Sequence, residues 1–370
     1  MAIKKIRVLG LETHQRKLKN GSWNTSGVDF ARIINPLTHL AKHPDFEVEL
    51  RKEPFTENEK NWDEITKSWD IIYTSYIDSP EGYVNMAFWA NRNGCQIVID
   101  IDDNVFELDP ANPVYNAYHY GSEKLHFLAS ILEHTQHLTV STQILQRKIV
   151  QMTKRSYDFT KVLPNFIDLE LYDYSKRVPK KNDKITILHA GSSTHFKDLM
   201  EKGFVTGLSR VLKENKNAEF ITIGNWIPQL QTMFGPQYRQ IQGKPDVYEW
   251  IDDLYPRVIG MTDVVVVPLK NDNHTKCKSA IKFLEFSAGK VPGVYQKISQ
   301  YEEHIKFTDR GLLAETGNEW YSQITKLVKD AELRKSMGNS AFEYVKDKQT
   351  IQSNIEKYAE YFKSVSRTLE

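Results

Sequence analysis

The stretch DVVVVPLKNDNHTKCKSAIKFLEFSAGKVP, residues 263–292, decides how the rest of this 370-residue chain is read. DVVVVPL is a short run of β-branched residues, the pattern of a buried strand. CKSAIKFLEFSAGK then repeats apolar residues at helical spacing and ends on glycine, and VPGVYQ reads as another short strand. A strand, a helix and a strand in that order form the unit of a parallel sheet covered by helices.

The same alternation extends in both directions. Upstream, ITILHAG (185–191) and EFITIGN (219–225) read as strands separated by a helix running through Leu212. A polar stretch, SKRVPKKNDK (175–184), interrupts the pattern. Before it, IRVLG (6–10), FEVELR (46–51), WDIIYTSY (69–76), CQIVIDIDD (95–103) and HLTVST (137–142) read as strands. Between them lie helical stretches such as SGVDFARIINPLTHLAKH and NMAFWANRNG, the latter closed by Gly94. The tail QTIQSNIEKYAEYFKSV is amphipathic, with Ile351, Ile355, Tyr358, Tyr361 and Phe362 on its apolar positions.

A chain this long exceeds the roughly 250–300 residues at which single cores stop growing. The expectation is an α/β protein with two Rossmann-like domains facing a cleft: residues 1–170, a linker at 171–184, residues 185–346, and a terminal helix at 347–370 that crosses back onto the first domain. Ligands in such folds sit beyond the carboxyl ends of the strands. That places residues 10–27, the aspartate run at 100–103 and residues 191–197 around one cleft.

Composition narrows the function. No apolar run approaches the ~18–20 residues of a membrane span, and the amino-terminal residues lack the apolar core of a secretion signal. Two cysteines, Cys95 and Cys277, do not make a disulfide framework, so a cytoplasmic location is expected. Net charge is +1, with residues 1–170 at about −4 and the remainder at about +5. Neither half is the strongly basic body of a protein living on duplex DNA or anionic lipid.

KCKSAIKFLEFSAGKVP (276–292) resembles the nucleotide-binding helix of GT-B glycosyltransferases, particularly family 4 (group 1) and related phage and bacterial enzymes. Lys278, Ser279, Lys282, Glu285, Gly289 and Pro292 match that family's pattern in order. VLPNFID is similar to its Pro-Asn-Gly-x-Asp segment, with Phe166 at the glycine. HAGSSTHFKDL (189–199) resembles its glycine-containing loop. The resemblance implies a nucleotide-diphosphate sugar, UDP-linked by preference, bound by Gly191, Ser192, His195, Lys197, Lys278, Ser279, Lys282 and Glu285. Helix N–H groups and lysines would meet the diphosphate, and Glu285 would accept the ribose hydroxyls. Tyr248 and Trp250 are candidates for stacking on the base. Cys277 stands where many members carry the first glutamate of Glu-x7-Glu, and a thiol does not replace that carboxylate. Most members retain anomeric configuration, so retention is the expectation.

The strand IVIDIDD ends in Asp100, Asp102 and Asp103. Alternation puts Asp100 and Asp102 on one face and Asp103 at the strand's end. Asp-x-Asp also marks GT-A glycosyltransferases, where it holds a metal, and haloacid-dehalogenase phosphatases, where it supplies a nucleophile. With the donor motifs in the second half, the run falls in the acceptor half. There Asp102 or Asp103 is the candidate base for an acceptor hydroxyl, Asp100 is the third catalytic candidate of the run, and a turn-capping role stands beside that reading. No metal or other cofactor is expected beyond the nucleotide sugar.

THQRKLKNGSWN (13–24) would hang over the acceptor side. Arg16, Lys17, Lys19 and Trp23, with Ser26 and Gly27 behind them, suit an acceptor glycan or a lipid-linked glycan. A hydroxylated DNA base, as in phage-type enzymes, is the alternative acceptor. A catalytically inactive nucleotide- or carbohydrate-binding protein on the same scaffold is the non-enzyme alternative, and Cys277 is the feature that carries it.

Overall fold

The computed structural model describes residues 4–13, 23–51, 61–75, 79–191, 195–224, 227–244 and 246–366. Its twelve strands among these residues form two six-stranded parallel sheets. The first contains β1 (Ile6–Leu11), β2 (Phe46–Arg51), β3 (Ile71–Ser75), β4 (Gln96–Ile101), β5 (His137–Val140) and β6 (Thr160–Val162), in the order β2-β1-β3-β4-β5-β6. The second contains β7 (Ile185–Ala190), β8 (Ala218–Gly224), β9 (Tyr238–Gln242), β10 (Val264–Val267), β11 (Gly293–Gln296) and β12 (Leu312–Ala314), in the order β12-β11-β10-β7-β8-β9. Chain order reverses beside β1 in the first sheet and beside β7 in the second. Such switch points open a crevice beyond the strand ends, and the sites below lie at these two.

Parallel strands are covered on both faces, which is why β3 and β10 are buried at every position. The helix Pro80–Asn93 stops where Gly94 takes φ 75°, a left-handed conformation that glycine adopts without penalty. Residues 27–40 are helical throughout, but Phe30–Ile34 forms a π-helical turn; a second, Trp250–Leu254, lies in the other domain. Pro36 and Pro256 follow these turns two residues on. A proline ring clashes with the carbonyl four residues earlier in an α-helix, and the wider π turn relieves that clash.

The two domains share side chains. Phe30 and Ile34 pack into the second domain's core beside Tyr255 and Leu284, while Ile33 and Leu37 on the opposite face pack against Val8 and Tyr73 in the first. The last helix, Ile351–Ser366, buries Tyr358, Phe362 and Val365 in that first-domain cluster. A bridge between Ile167 and Thr350 and an ion pair of Lys363 with Asp45 at 2.5 Å hold it there.

The connecting segment is strapped to the second domain. Val178 N–H donates to the Pro256 carbonyl at 3.1 Å. A β-carbon on Gly260 would lie 1.5 Å from the Val178 carbonyl oxygen. Gly260→Ala therefore has to push backbone away from backbone. We expect it to destabilise the protein by about 1–3 kcal/mol, read as a lowered thermal midpoint with nucleotide affinity unchanged.

Candidate active site

The end of β4 and the loop after it supply the aspartates, and the environment of each differs. Asp100 is fully buried and paired with Arg32, whose Nε and Nη2 donate to its two oxygens at 2.9 and 2.7 Å. Tyr73 and Thr139 hydroxyls donate to the same carboxylate at 3.1 and 2.6 Å. Four donors hold Asp100 as the counter-ion of a buried arginine, and the residue also borders the cavity described below.

Asp102 differs from it. Its Oδ1 is enclosed and has no hydrogen-bond partner among the described residues. Burial pushes its carboxyl above the ordinary aspartate value, and the charges of Asp103 and Asp100 add to this against the opposing pull of Arg32. Asp103 is 40% exposed at the side chain, and both its oxygens accept from Lys278 Nζ at 3.0 Å. Its surroundings disfavour charge, yet the Lys278 ammonium prevails and holds its carboxyl below the usual range. The two neighbouring carboxylates are thus driven apart, one toward the proton and one away from it.

A cavity of about 190 Å³ opens at this point, its lining including Val28, Ser75, Asp102, Asp103, Tyr118 and Lys278. Its walls are mainly apolar, and the carboxylates sit among them.

On the opposite side, the donor-side helix begins later than the sequence pattern predicts. Thr275–Cys277 is a 3-10 turn, Lys278 is extended, and the α-helix runs Ile281–Ala288. Lys278 and Ser279 therefore precede the helix. Ala280 at the N-cap has no side chain to satisfy the first-turn N–H groups. Lys282 pairs with Glu285 at 2.8 Å, and the Glu285 carboxylate also faces the Tyr172 hydroxyl at 3.5 Å. Gly289 is required for close packing, since a β-carbon there would lie 2.5 Å from the Ile259 side chain.

The loop after β7 brings Gly191 between two imidazoles; a β-carbon on it would lie 2.8 Å from His189 Nε2 and 2.9 Å from His195 Cδ2. His195 Nδ1 meets Asp198 at 2.8 Å. Burial lowers His189 to about 3, so its ring is neutral. Lys197 and Lys270 both reach across to Asp109 of the first domain, Lys270 at 2.5 Å. Together with Lys278–Asp103, three lysines of the second domain hold carboxylates of the first.

Several expected positions fall elsewhere. Arg16, Lys17, Lys19 and Ser192 lie outside the described residues. Trp23 is half-buried, and nearby Thr25 is tied to the second domain through Asp246 at 2.8 Å. The Ser26 hydroxyl caps the following helix, accepting from Asp29 N–H at 2.9 Å, and Gly27 faces open space. Tyr248 packs edge-on against Phe30 at 5.8 Å and Trp250 against Tyr255 at 6.0 Å, so both rings already have aromatic neighbours. Cys277 points away from the cleft into the first-domain cluster of Ile99, Val105 and Leu145. Burial pushes its thiol up to about 11. Arg32, Asp109 and Lys270 escaped the sequence reading; only the position of Lys270 directly after Pro-Leu gave a signal.

No protein-family model matches the chain, and no curated protein does. Solved structures do match. A glycosyltransferase from Rickettsia africae ESF-5 superposes with a TM-score of 0.65 at 15% identity, covering 98% of each chain. HepE of Anabaena in complex with UDP-glucose gives 0.66 at 12% identity, over 97% of this chain and 100% of that one. Sucrose-phosphate synthase of Thermosynechococcus elongatus gives 0.63 at 11%, over 98% and 100%. The coverage extends through both sheets and the returning helix, and the chain has the GT-B fold of these glycosyltransferases.

Proposed function

We propose that this chain is a glycosyltransferase that moves a sugar from a nucleotide diphosphate, UDP by preference, to an acceptor hydroxyl on a glycan or lipid-linked glycan. The observation that carries this reading is the meeting of Asp103 and Lys278 at 3.0 Å across the two domains, beside the cavity that holds Asp102.

In this reading the head of the helix Ile281–Ala288, which lacks a side-chain cap, receives the diphosphate together with Lys278, Ser279 and Lys197. Gly191 and His195 border it, Lys282 sits one turn on, and Glu285 accepts the ribose hydroxyls. As the glycosidic bond to the diphosphate lengthens, the lysines stabilise the charge on the leaving group. Asp102 takes the proton from the acceptor hydroxyl as the acceptor oxygen bonds to the anomeric carbon and the bond to the diphosphate breaks. Asp103 keeps Lys278 charged and at the cleft until the diphosphate arrives. Apolar walls with carboxylates among them suit a sugar ring, which offers a C–H face and a rim of hydroxyls. Retention of configuration, our assignment from the resemblance, requires the acceptor oxygen to arrive on the face that the diphosphate leaves, because attack from the opposite face inverts and position 277 supplies no carboxylate for a covalent intermediate.

The test is release of UDP from a panel of UDP-sugars with EDTA present. Slow release without acceptor, accelerated by a glycan acceptor, is the expected result, and EDTA should leave it unchanged. Tight UDP binding with no release from any sugar would make the chain a binding protein on a GT-B scaffold.

A further inference from the structure

Arg32 is fully buried on the π-helical turn Phe30–Ile34, and its guanidinium faces two ways. Nε and Nη2 hold Asp100, while Nη1 donates to the Leu163 carbonyl at 2.7 Å and to Asn165 Oδ1 at 2.6 Å. Asn165 Nδ2 then donates to Ser279 Oγ at 2.8 Å, across the domain boundary. The chemistry of the donors sets the direction of this chain. A guanidinium only donates, so the Asn165 oxygen must face it and the amide nitrogen must face Ser279. With its oxygen accepting from Asn165, the Ser279 hydroxyl keeps its own proton for another partner. That hydroxyl lies two residues before the helix Ile281–Ala288, whose N-cap Ala280 offers no side-chain cap.

We infer that Arg32 and Asn165 are positioning residues that tie Ser279, at the head of the donor-side helix, to Asp100 beneath the acceptor cavity, so that the Ser279 hydroxyl donates to the incoming diphosphate. This rests on the donor reading given above. It assigns a task to the asparagine of the Pro-Asn segment and to an arginine that no motif marks. The planar fork is essential: it meets a carboxylate with one edge and the amide with the other, whereas a single ammonium cannot span both. Each bond also polarises the next, from a permanent charge to a hydroxyl.

Two variants test it in the full chain. Asn165→Asp keeps the shape but offers Ser279 only an acceptor, which turns the serine proton back toward the carboxylate. Arg32→Lys keeps the positive charge on Asp100 but cannot also reach Asn165; should it fail to fold, Asn165→Asp carries the test alone. We expect each to raise the donor KM about tenfold with kcat within about threefold, and the double variant to be no worse than either single one. Amide exchange over residues 279–285 of the nucleotide-free protein should quicken about tenfold in each variant, with β7 and β8 unaffected. Unchanged exchange there, or a wild-type donor KM in a variant that turns over, would overturn the inference while leaving the glycosyltransferase reading intact. A wild-type protein that binds and turns over no nucleotide would overturn the functional reading, and the exchange measurement would still decide whether the tie exists.

Discussion

Asp102→Asn should lower kcat for transfer by about 10²–10⁴-fold, the usual contribution of a positioned base, with UDP affinity unchanged. The expectation follows from Oδ1, which has no partner among the described residues, and from the place of Asp102 on the cavity proposed to take the acceptor. An amide there preserves shape but cannot accept a proton. The pH dependence has a definite sign. A base must be ionised, and burial raises the Asp102 carboxyl above the ordinary aspartate value of about 3.9. Activity should therefore fail, as pH drops, at a higher pH than an exposed aspartate would give. Asp103, held low beside Lys278, would place that limb below the ordinary value. A wild-type rate in Asp102→Asn, or an acid limb below about 3.9, would move the base away from Asp102.

Asp100→Asn should behave differently. Removing one charge of a fully buried pair leaves Arg32 uncompensated, because a guanidinium does not lose its proton in proteins. Both partners have no exposed side-chain surface, and the carboxylate also collects Tyr73 and Thr139. Breaking such a pair costs about 3–5 kcal/mol, which lowers the thermal midpoint by roughly 10 °C. Because Arg32 and Asn165 link Asp100 to Ser279, the fraction that remains folded should bind UDP about tenfold more weakly. A variant as stable as wild type but without turnover would return Asp100 to the catalytic group.

These two neighbours also show where the sequence stops being informative. The alternation of strands and helices was legible because β-branched runs such as VVVV and ITIL, glycine stops such as Gly94 and the helical spacing of IKFLEF are local signals. The amphipathic tail was legible because its apolar face had to be covered by something. What separates Asp100 from Asp102 is not local. It depends on Arg32, 68 positions earlier, entering the same buried space, and no spacing rule relates the two. The start of the donor-side helix was misplaced by several residues because Cys277 turns into the first domain's core, pulling Thr275–Cys277 into a 3-10 turn. Tyr248 and Trp250 read as stacking candidates because aromatic residues look alike until their neighbours are known. The prolines at 36 and 256 were visible, but a proline alone does not say whether the helix before it ends, kinks or widens into a π turn.

The most direct test of the donor site is thermal unfolding of the wild type and Glu285→Ala with UDP, GDP and ADP, each in EDTA. A ligand at 100 times its dissociation constant adds about 2.7 kcal/mol to stability, a shift of several degrees. Loss of charged hydrogen bonds to two ribose hydroxyls, at about 1.5–3 kcal/mol each, should erase that shift in Glu285→Ala. Stabilisation by UDP in EDTA that disappears in the variant is the result the account predicts. No shift with any of the three nucleotides, or an equal shift in Glu285→Ala, would contradict it.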